Sequence, residues 1–344
     1  MTMDQEKISG FIEGLFTVFQ ETPVDPATVR RIQSGQLAEV IYERITSKRF
    51  RKTAVEPATA DFTRKYLREA VAGGQKIRIY FLFGGYKQTR MSTAPDPDWA
   101  EVFDVSFSLE VANAVESIYK TGVDIIYRSD EMILTYLDNY SQRSREIYTG
   151  KFKQILEIFN SRIPSGRNIK LSYESAAETS PLSEVIKIVD EVYPRHEAIF
   201  NAQPREVQEE MTFMAYRNIC WNGEEDLTGM PETEKLAKAR KAYITRDAWI
   251  EADVKLAAAY FNNGVSISFR KGIPMCIHYG SCASSTVQFS AGEGFINIRD
   301  DKLLPWILSY NQMQEVKSEE FILTAGNPFA GVGLTKIRVI NGRV

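Results

Sequence analysis

Residues 76–130 read KIRIYFLFGGYKQTRMSTAPDPDWAEVFDVSFSLEVANAVESIYKTGVDIIYRSD, and this stretch decides the fold. The run from Ile77 to Phe83 is short, aromatic and β-branched, and it stops at Gly84-Gly85. That pattern predicts a buried strand. A polar loop holding Lys87 and Arg90 follows. Asp96-Pro97 then supplies an N-cap acid and a first-turn proline, which predict a helix start. Phe107, Val111, Val115, Ile118 and Tyr119 recur at helical spacing, and Lys120-Thr121-Gly122 closes the helix. Val123 to Tyr127 is a second apolar strand ending on Ser129-Asp130. Strand, loop, helix and strand make a βαβ unit with an expected right-handed crossover. Ligands of such units sit beyond the carboxyl ends of the strands. One of those ends carries Lys87 and Arg90, suited to an anion. The other carries Ser129 and Asp130, suited to proton transfer or to gathering hydroxyls.

Upstream, Ile8, Phe11, Ile12, Leu15 and Phe19 form a helical stripe that Pro23, Asp25 and Pro26 interrupt. A second helix runs through Val29, Ile32, Leu37, Val40, Ile41 and Ile45, and a third from Phe62 to Ala72. The basic run Lys48 to Lys52 reads as a solvated linker or a phosphate contact. Downstream, helical patterns cover Met132 to Phe159, a segment from about Ser180, Gln203 to Trp221 and Pro231 to Phe261, with a short strand at Ile169 to Tyr173. From Val265 the period changes from 3.6 to 2. Val265–Arg270, Met275–Tyr279, Val287–Ser290 and Phe295–Arg299 are expected as consecutive strands joined by glycines. A helical piece at Leu303–Met313 and a strand at Leu334–Ile340 complete the chain. The expected class is α/β: a Rossmann-like sheet with flanking helices and a C-terminal, mostly antiparallel β region. The divisions expected are a helical segment over 1–70, an α/β core with a helical insertion over 71–262, and a β-rich part of the same domain over 263–344.

The 344 residues suffice for one large or two smaller domains. A hydrophobic share of 44% and a charged share of 25% are ordinary for a globular protein. The net charge of −3 gives nucleic acid no electrostatic footing. No apolar run approaches the roughly 20 residues of a membrane helix. The polar start, MTMDQEKISG, has no signal-peptide core. Cys220, Cys276 and Cys282 are too few for a disulfide framework. A soluble cytoplasmic protein is expected, and a homodimer is compatible with these features.

Several candidates carry two readings. Asp98 and Glu101 lie in the first turns of a helix, where the dipole alone favours acids. Lys87 and Arg90 read as a phosphate or carboxylate seat, or as two surface charges. Ser129 and Asp130 read as proton-transfer groups, or as a turn and a cap. Cys276, His278 and Cys282 form C-x-H-x₃-C, but zinc wants four ligands, or three with water and a supporting acid. A lone histidine on a sheet face is more often packing or a substrate hydrogen bond. Gly331-Val332-Gly333 precedes a strand and does not fit a dinucleotide fingerprint. The chain has neither G-x-S-x-G nor a P-loop.

Pro97-Asp98-Trp99-Ala100-Glu101, then Tyr119, Gly122 and Ser129-Asp130, resembles the isonitrile (isocyanide) synthases of the paerucumarin and spore-wall-dityrosine type. The strand and basic loop ending Tyr86-Lys87 are similar to that family's strand and Phe-x-Lys segment. A weaker likeness joins the helix around Ile244-Thr245-Arg246 to the strand Val265–Ser268. The resemblance covers roughly residues 75–300. It implies a transfer of the C2 carbon of ribulose 5-phosphate to the amine of an amino acid, with no cofactor. The amino acid and the phosphosugar would be the partners. It further implies that Lys87 and Arg90 hold the phosphate and that Asp130 or Glu101 shuttles protons with Ser129 beside them. Asp98, Arg246, Ser268, Arg270 and His278 would surround the substrates. The family's Ser-Asp-Gly is Ser129-Asp130-Glu131 here, its strand arginine is Ser266 and its His-Pro is Arg270-Lys271; Ser284-Ser285-Thr286 stands where its Pro-Trp-His would fall. A same-fold enzyme with other chemistry, one using a metal at Cys276 and His278 for instance, and a non-catalytic binding relative stay open as alternatives.

Overall fold

In a computed structural model the chain is described from residue 5 to 341, apart from residues 20–23, 179, 224–226, 228, 262, 283–284, 286 and 325. In chain order the helices and strands are α1 (Gln5–Gly14), α2 (Pro26–Gln33), α3 (Leu37–Ile45), α4 (Pro57–Ala72), β1 (Ile77–Phe83), α5 (Trp99–Glu116) and β2 (Val123–Ser129). There follow α6 (Glu131–Leu137), α7 (Gln142–Arg162), β3 (Ile169–Ser175), α8 (Leu182–Asn201), α9 (Arg205–Asn222), α10 (Glu232–Phe261), β4 (Val265–Ser268) and β5 (Cys276–His278). The C-terminal part holds β6 (Gly292–Arg299), β7 (Lys302–Ser309), α11 (Tyr310–Glu315), β8 (Glu319–Ile322) and β9 (Lys336–Asn341).

The expected βαβ unit forms the centre. β1 pairs in parallel with β2, Ile77 opposite Val123 and Phe83 opposite Ser129. Its other edge pairs in parallel with β4, Ile79 opposite Val265. β3 and β5 flank them, so the sheet runs β3-β2-β1-β4-β5, entirely parallel. The apolar run of β1 is explained by its central place: both of its faces are covered, and only Arg78 is exposed. α5 is buried almost all round, as a helix without a polar face must be. It packs on β2 and also on β6 and β7. A second sheet, ordered β7-β6-β9-β8, carries β6 antiparallel to β7, β9 antiparallel to β8, and β6 parallel to β9. The mixed α/β class with a mostly antiparallel C-terminal sheet is therefore as expected, although β4 and β5 belong to the central sheet. Among the described residues no helix is long and apolar enough to cross a membrane.

Several local expectations change: the helix expected through Val29 to Ile45 is two, α2 and α3, parted at Gly35 with φ 84°. The cap of α5 is Asp98, not Asp96: Asp98 Oδ1 accepts from Ala100 N at 2.6 Å and the Glu101 carboxylate accepts from Asp98 N at 2.8 Å. That reciprocal pair is a capping box, and it leaves Asp96 to Lys151. The helical pattern from Met132 breaks into α6 and α7 across Asn139, which has φ 56°. Val287–Ser290 is not a strand; Ser285 Oγ accepts from Val287 N and Ser281 Oγ from Phe289 N, so side chains take the place of a ladder. Leu303–Met313 is strand β7 followed by the short α11. Asp300 and Asp301, with φ 48° and 57°, turn β6 back onto β7 in a two-residue hairpin. β7 is an edge strand and so tolerates Pro305.

Candidate functional site

A cavity of about 280 Å³ opens where the strand order reverses, beyond the carboxyl ends of β1, β2 and β4. β1 and its loop give it Phe83, Gly84 and Tyr86; β2 gives Arg128, Ser129 and Asp130. The segment after β4 gives Ser268, Arg270, Ile273 and Pro274. α6 and α10 roof it with Ile133, Leu134, Arg246, Ile250 and Asp253. A separate apolar cluster of Met132, Val185, Val189, Trp249 and Ala252 fastens that roof to α8. The floor needs the glycines. Gly85 has φ +66°, and a Cβ there would stand 2.6 Å from Ser129 Cβ.

Asp130 precedes α6, but its side chain does not cap the helix. Its carboxyl is hydrogen bonded instead to Asp253, and its Oδ1 is buried with no hydrogen-bond partner among the described residues. Burial, then the charge of Asp253, pushes Asp130 well above the ordinary carboxylate range. Burial pushes Asp253 up to about 6, while its bond with Asp130 and the charge of Arg128 pull the other way. Two adjoining buried carboxyls cannot both ionise cheaply, so the pair favours sharing one proton over carrying two charges. Beside them, Ser129 Oγ donates to the Glu131 carboxylate and lies 2.5 Å from Tyr173 Oη. Glu131 also accepts from Ser175, and Tyr173 reaches Thr149 at 3.3 Å. The Ser129 hydroxyl is thus tied into a chain of hydroxyls ending on a buried carboxylate.

Two arginines mark the anionic side. Arg246 Nη2 lies 2.7 Å from the fully buried Asp138 Oδ1, so its charge is already matched. Arg270 is exposed at the mouth, and no carboxylate among the described residues lies within salt-bridge distance of its guanidinium. Its backbone is fixed by Ser268, whose Oγ accepts from Arg270 N at 3.1 Å.

The structure brings Asp130, Ser129, Arg246, Ser268 and Arg270 to this cavity and leaves the other sequence candidates outside it. Lys87 and Arg90 do not stand together at the mouth. Lys87 is wholly buried: its Nζ lies 2.9 Å from Glu101 Oε2 and 3.1 Å from Asp98 Oδ2, and donates to Phe289 O at 3.0 Å. Tyr148 Oη donates to Glu101 as well. Burial pushes Glu101 up to about 7 against the pull of Lys87. Glu101, Asp98 and Lys87 therefore knit the start of α5 to the loop before β6. Arg90 stacks 3.6 Å over Trp221 and donates from Nε to Gln88. His278 sits on β5 opposite Ser268, with Nδ1 buried and without a hydrogen-bond partner among the described residues, and burial lowers its pKa. Cys276 has its thiol pushed up to about 12 by burial, and Cys282 faces Pro305 O. Among the described residues no three His, Cys, Asp or Glu side chains are placed to hold a metal. Ser284 and Thr286 lie outside the described residues.

Arg128 and Tyr86 line the cavity without having been candidates, and so does the acid Asp253. A signal was present: Arg246, Ile250 and Asp253 fall at i, i+4 and i+7, one face of α10. Nothing local says that this face looks onto the end of β2.

The chain was compared with known proteins. No family model matches it, and no curated protein matches its sequence. Among solved structures it is similar to the PvcA protein from Pseudomonas aeruginosa, with a TM-score of 0.65 and 11% identity over 88% of this chain and 99% of that chain. The two share a fold. A tyrosyl-tRNA synthetase from Aeropyrum pernix aligns over 81% of this chain and 85% of that one at 10% identity, with a TM-score of 0.25 that shows no common architecture.

Proposed function

We propose that this chain is a biosynthetic enzyme of isonitrile-synthase type, which joins the amine of an amino acid to the carbonyl of a phosphosugar such as ribulose 5-phosphate. The observation that carries this reading is the cavity itself: a carboxyl whose pKa burial raises, Asp130, faces the same hollow as an exposed arginine, Arg270, that makes no salt bridge among the described residues. Imine formation needs a group that can give and take a proton, and burial raises Asp130 in the direction that lets a carboxyl act as an acid. A substrate with a carboxylate or phosphate needs a cation to seat it, and Arg270 offers one. The fold shared with PvcA is the one that the resemblance to paerucumarin-type synthases implies.

Purified protein supplied with ribulose 5-phosphate and each amino acid in turn should yield one pairing whose product mass matches an isonitrile. No product with any pairing would reject the reading. Arg270→Ala should raise the KM of the anionic substrate without changing the unfolding midpoint, because the side chain is exposed. The second reading, a same-fold enzyme with other chemistry, is favoured by Glu131: where the family has glycine, this chain places a carboxylate against Ser129.

A further inference from the structure

We propose that Asp253 on α10 is the second catalytic carboxyl of the cavity, holding one proton jointly with Asp130 and moving it between the amine and the carbonyl oxygen as they join. This rests on the reading that the site unites an amine with a carbonyl. Three observations carry it. Asp253 and Asp130 come from different layers, the helical roof and the end of a central strand, yet both line the hollow and bond to each other. Asp130 Oδ1 is buried there with no hydrogen-bond partner among the described residues, so one lone-pair set is left for a ligand. Arg128, at the end of β2, lowers the pKa of both carboxyls. Burial and mutual repulsion act against two charges, and Arg128 acts against none, which holds the pair at one proton. The other charged groups nearby are Glu131 on α6, whose charge faces Asp130, and Glu174 on β3, which faces Arg128. Arg246 on α10 is matched by Asp138, and Asp247 lies near Arg246 and Arg270.

A pair with one proton can act as acid and as base in a single step. The amine nitrogen bonds to the carbonyl carbon, and the π pair of the carbonyl moves to oxygen. That oxygen takes the shared proton, which leaves the pair doubly anionic. The nitrogen of the adduct, now positive, gives its proton back to the pair. Loss of water reverses the roles: the hydroxyl leaves with the shared proton, the nitrogen lone pair forms the imine bond, and the remaining N–H proton returns. The pair ends each half as it began.

The test is Asp253→Asn in the full chain, a neutral change of the same shape. With the active pairing, kcat should fall about 100-fold or more, with KM nearly unchanged. The alkaline limb of kcat against pH should move to lower pH, since Asp130 loses the neighbouring charge that holds its proton. A wild-type rate, or unchanged limbs, would overturn the proposal. If no pairing turns over, the isonitrile reading falls while the shared proton stays measurable. Infrared difference spectra, wild type minus variant, between pH 6 and 8 should show one protonated-carboxyl component, distinct from those of Asp104 and Glu101, that Asp130→Asn removes and Asp253→Asn shifts to lower pH. A component that neither variant changes would refute the pair.

Discussion

Lys87 shows how one side chain changes meaning between sequence and structure. A lysine after a buried strand suits a phosphate, but here two carboxylates and a carbonyl occupy its ammonium. Removing it leaves Glu101 and Asp98 buried without a countercharge. Lys87→Met should therefore cost about 3–5 kcal/mol of stability in urea unfolding. A loss below about 1 kcal/mol would show that the cluster does not depend on the lysine. Gly85 is constrained in another way. At φ +66° and with Ser129 in the path of any Cβ, Gly85→Ala should destabilise by at least about 1–2 kcal/mol. It should also displace the Ser129 hydroxyl, lowering turnover more than stability alone accounts for.

At the scale of elements, α10 both roofs the cavity and leads into β4. Its hold on α8 centres on Trp249, which is fully buried and meets Tyr136 at 5.6 Å between ring centroids. Trp249→Ala should cost about 3–5 kcal/mol, read as a lower thermal midpoint. Hydrogen exchange should place the loss in α8 and α10 and spare β1 and β2, whose core is separate. The β6–β7 hairpin offers the opposite test. Asp300 and Asp301 adopt left-handed backbone angles that Asn-Gly adopts at less cost. Asp300→Asn with Asp301→Gly should raise stability by about 1 kcal/mol, and no gain would mean the turn is of another type.

For the whole molecule, buried acids set the pH response. Asp104, Asp130, Asp253 and Glu101 all sit above their ordinary values, mainly through burial. A carboxyl raised in the folded state binds its proton more tightly there than when unfolded. Its contribution is complete below the unfolded value, near 4, and is lost as pH rises through the folded one. For Asp253 and Glu101 that loss falls between about 4 and 6–7. Asp25, Glu43 and Glu251 are lowered and act the other way, but they are exposed or nearly so, and their pairs count for little. Urea midpoints should therefore fall from pH 5 to pH 8, and Asp253→Asn should flatten part of that fall. Midpoints that rise with pH would contradict the burial of these acids as charged-state liabilities.

Sequence alone determined the β1-α5-β2 unit, the long helix ending before β4 and the presence of a strand-rich C-terminal part. Those features report burial along the chain with a period of 2 or 3.6, and period is a local property. Only the tertiary structure decided that Lys87 points into the core and that Asp253 meets Asp130. It also decided that residues 302–309 pair as a strand despite a helical-looking pattern. In each case the deciding partner lies far along the chain or across a layer. A side chain's neighbours, and with them its charge state, are fixed by which segments dock, which no local pattern of residues encodes.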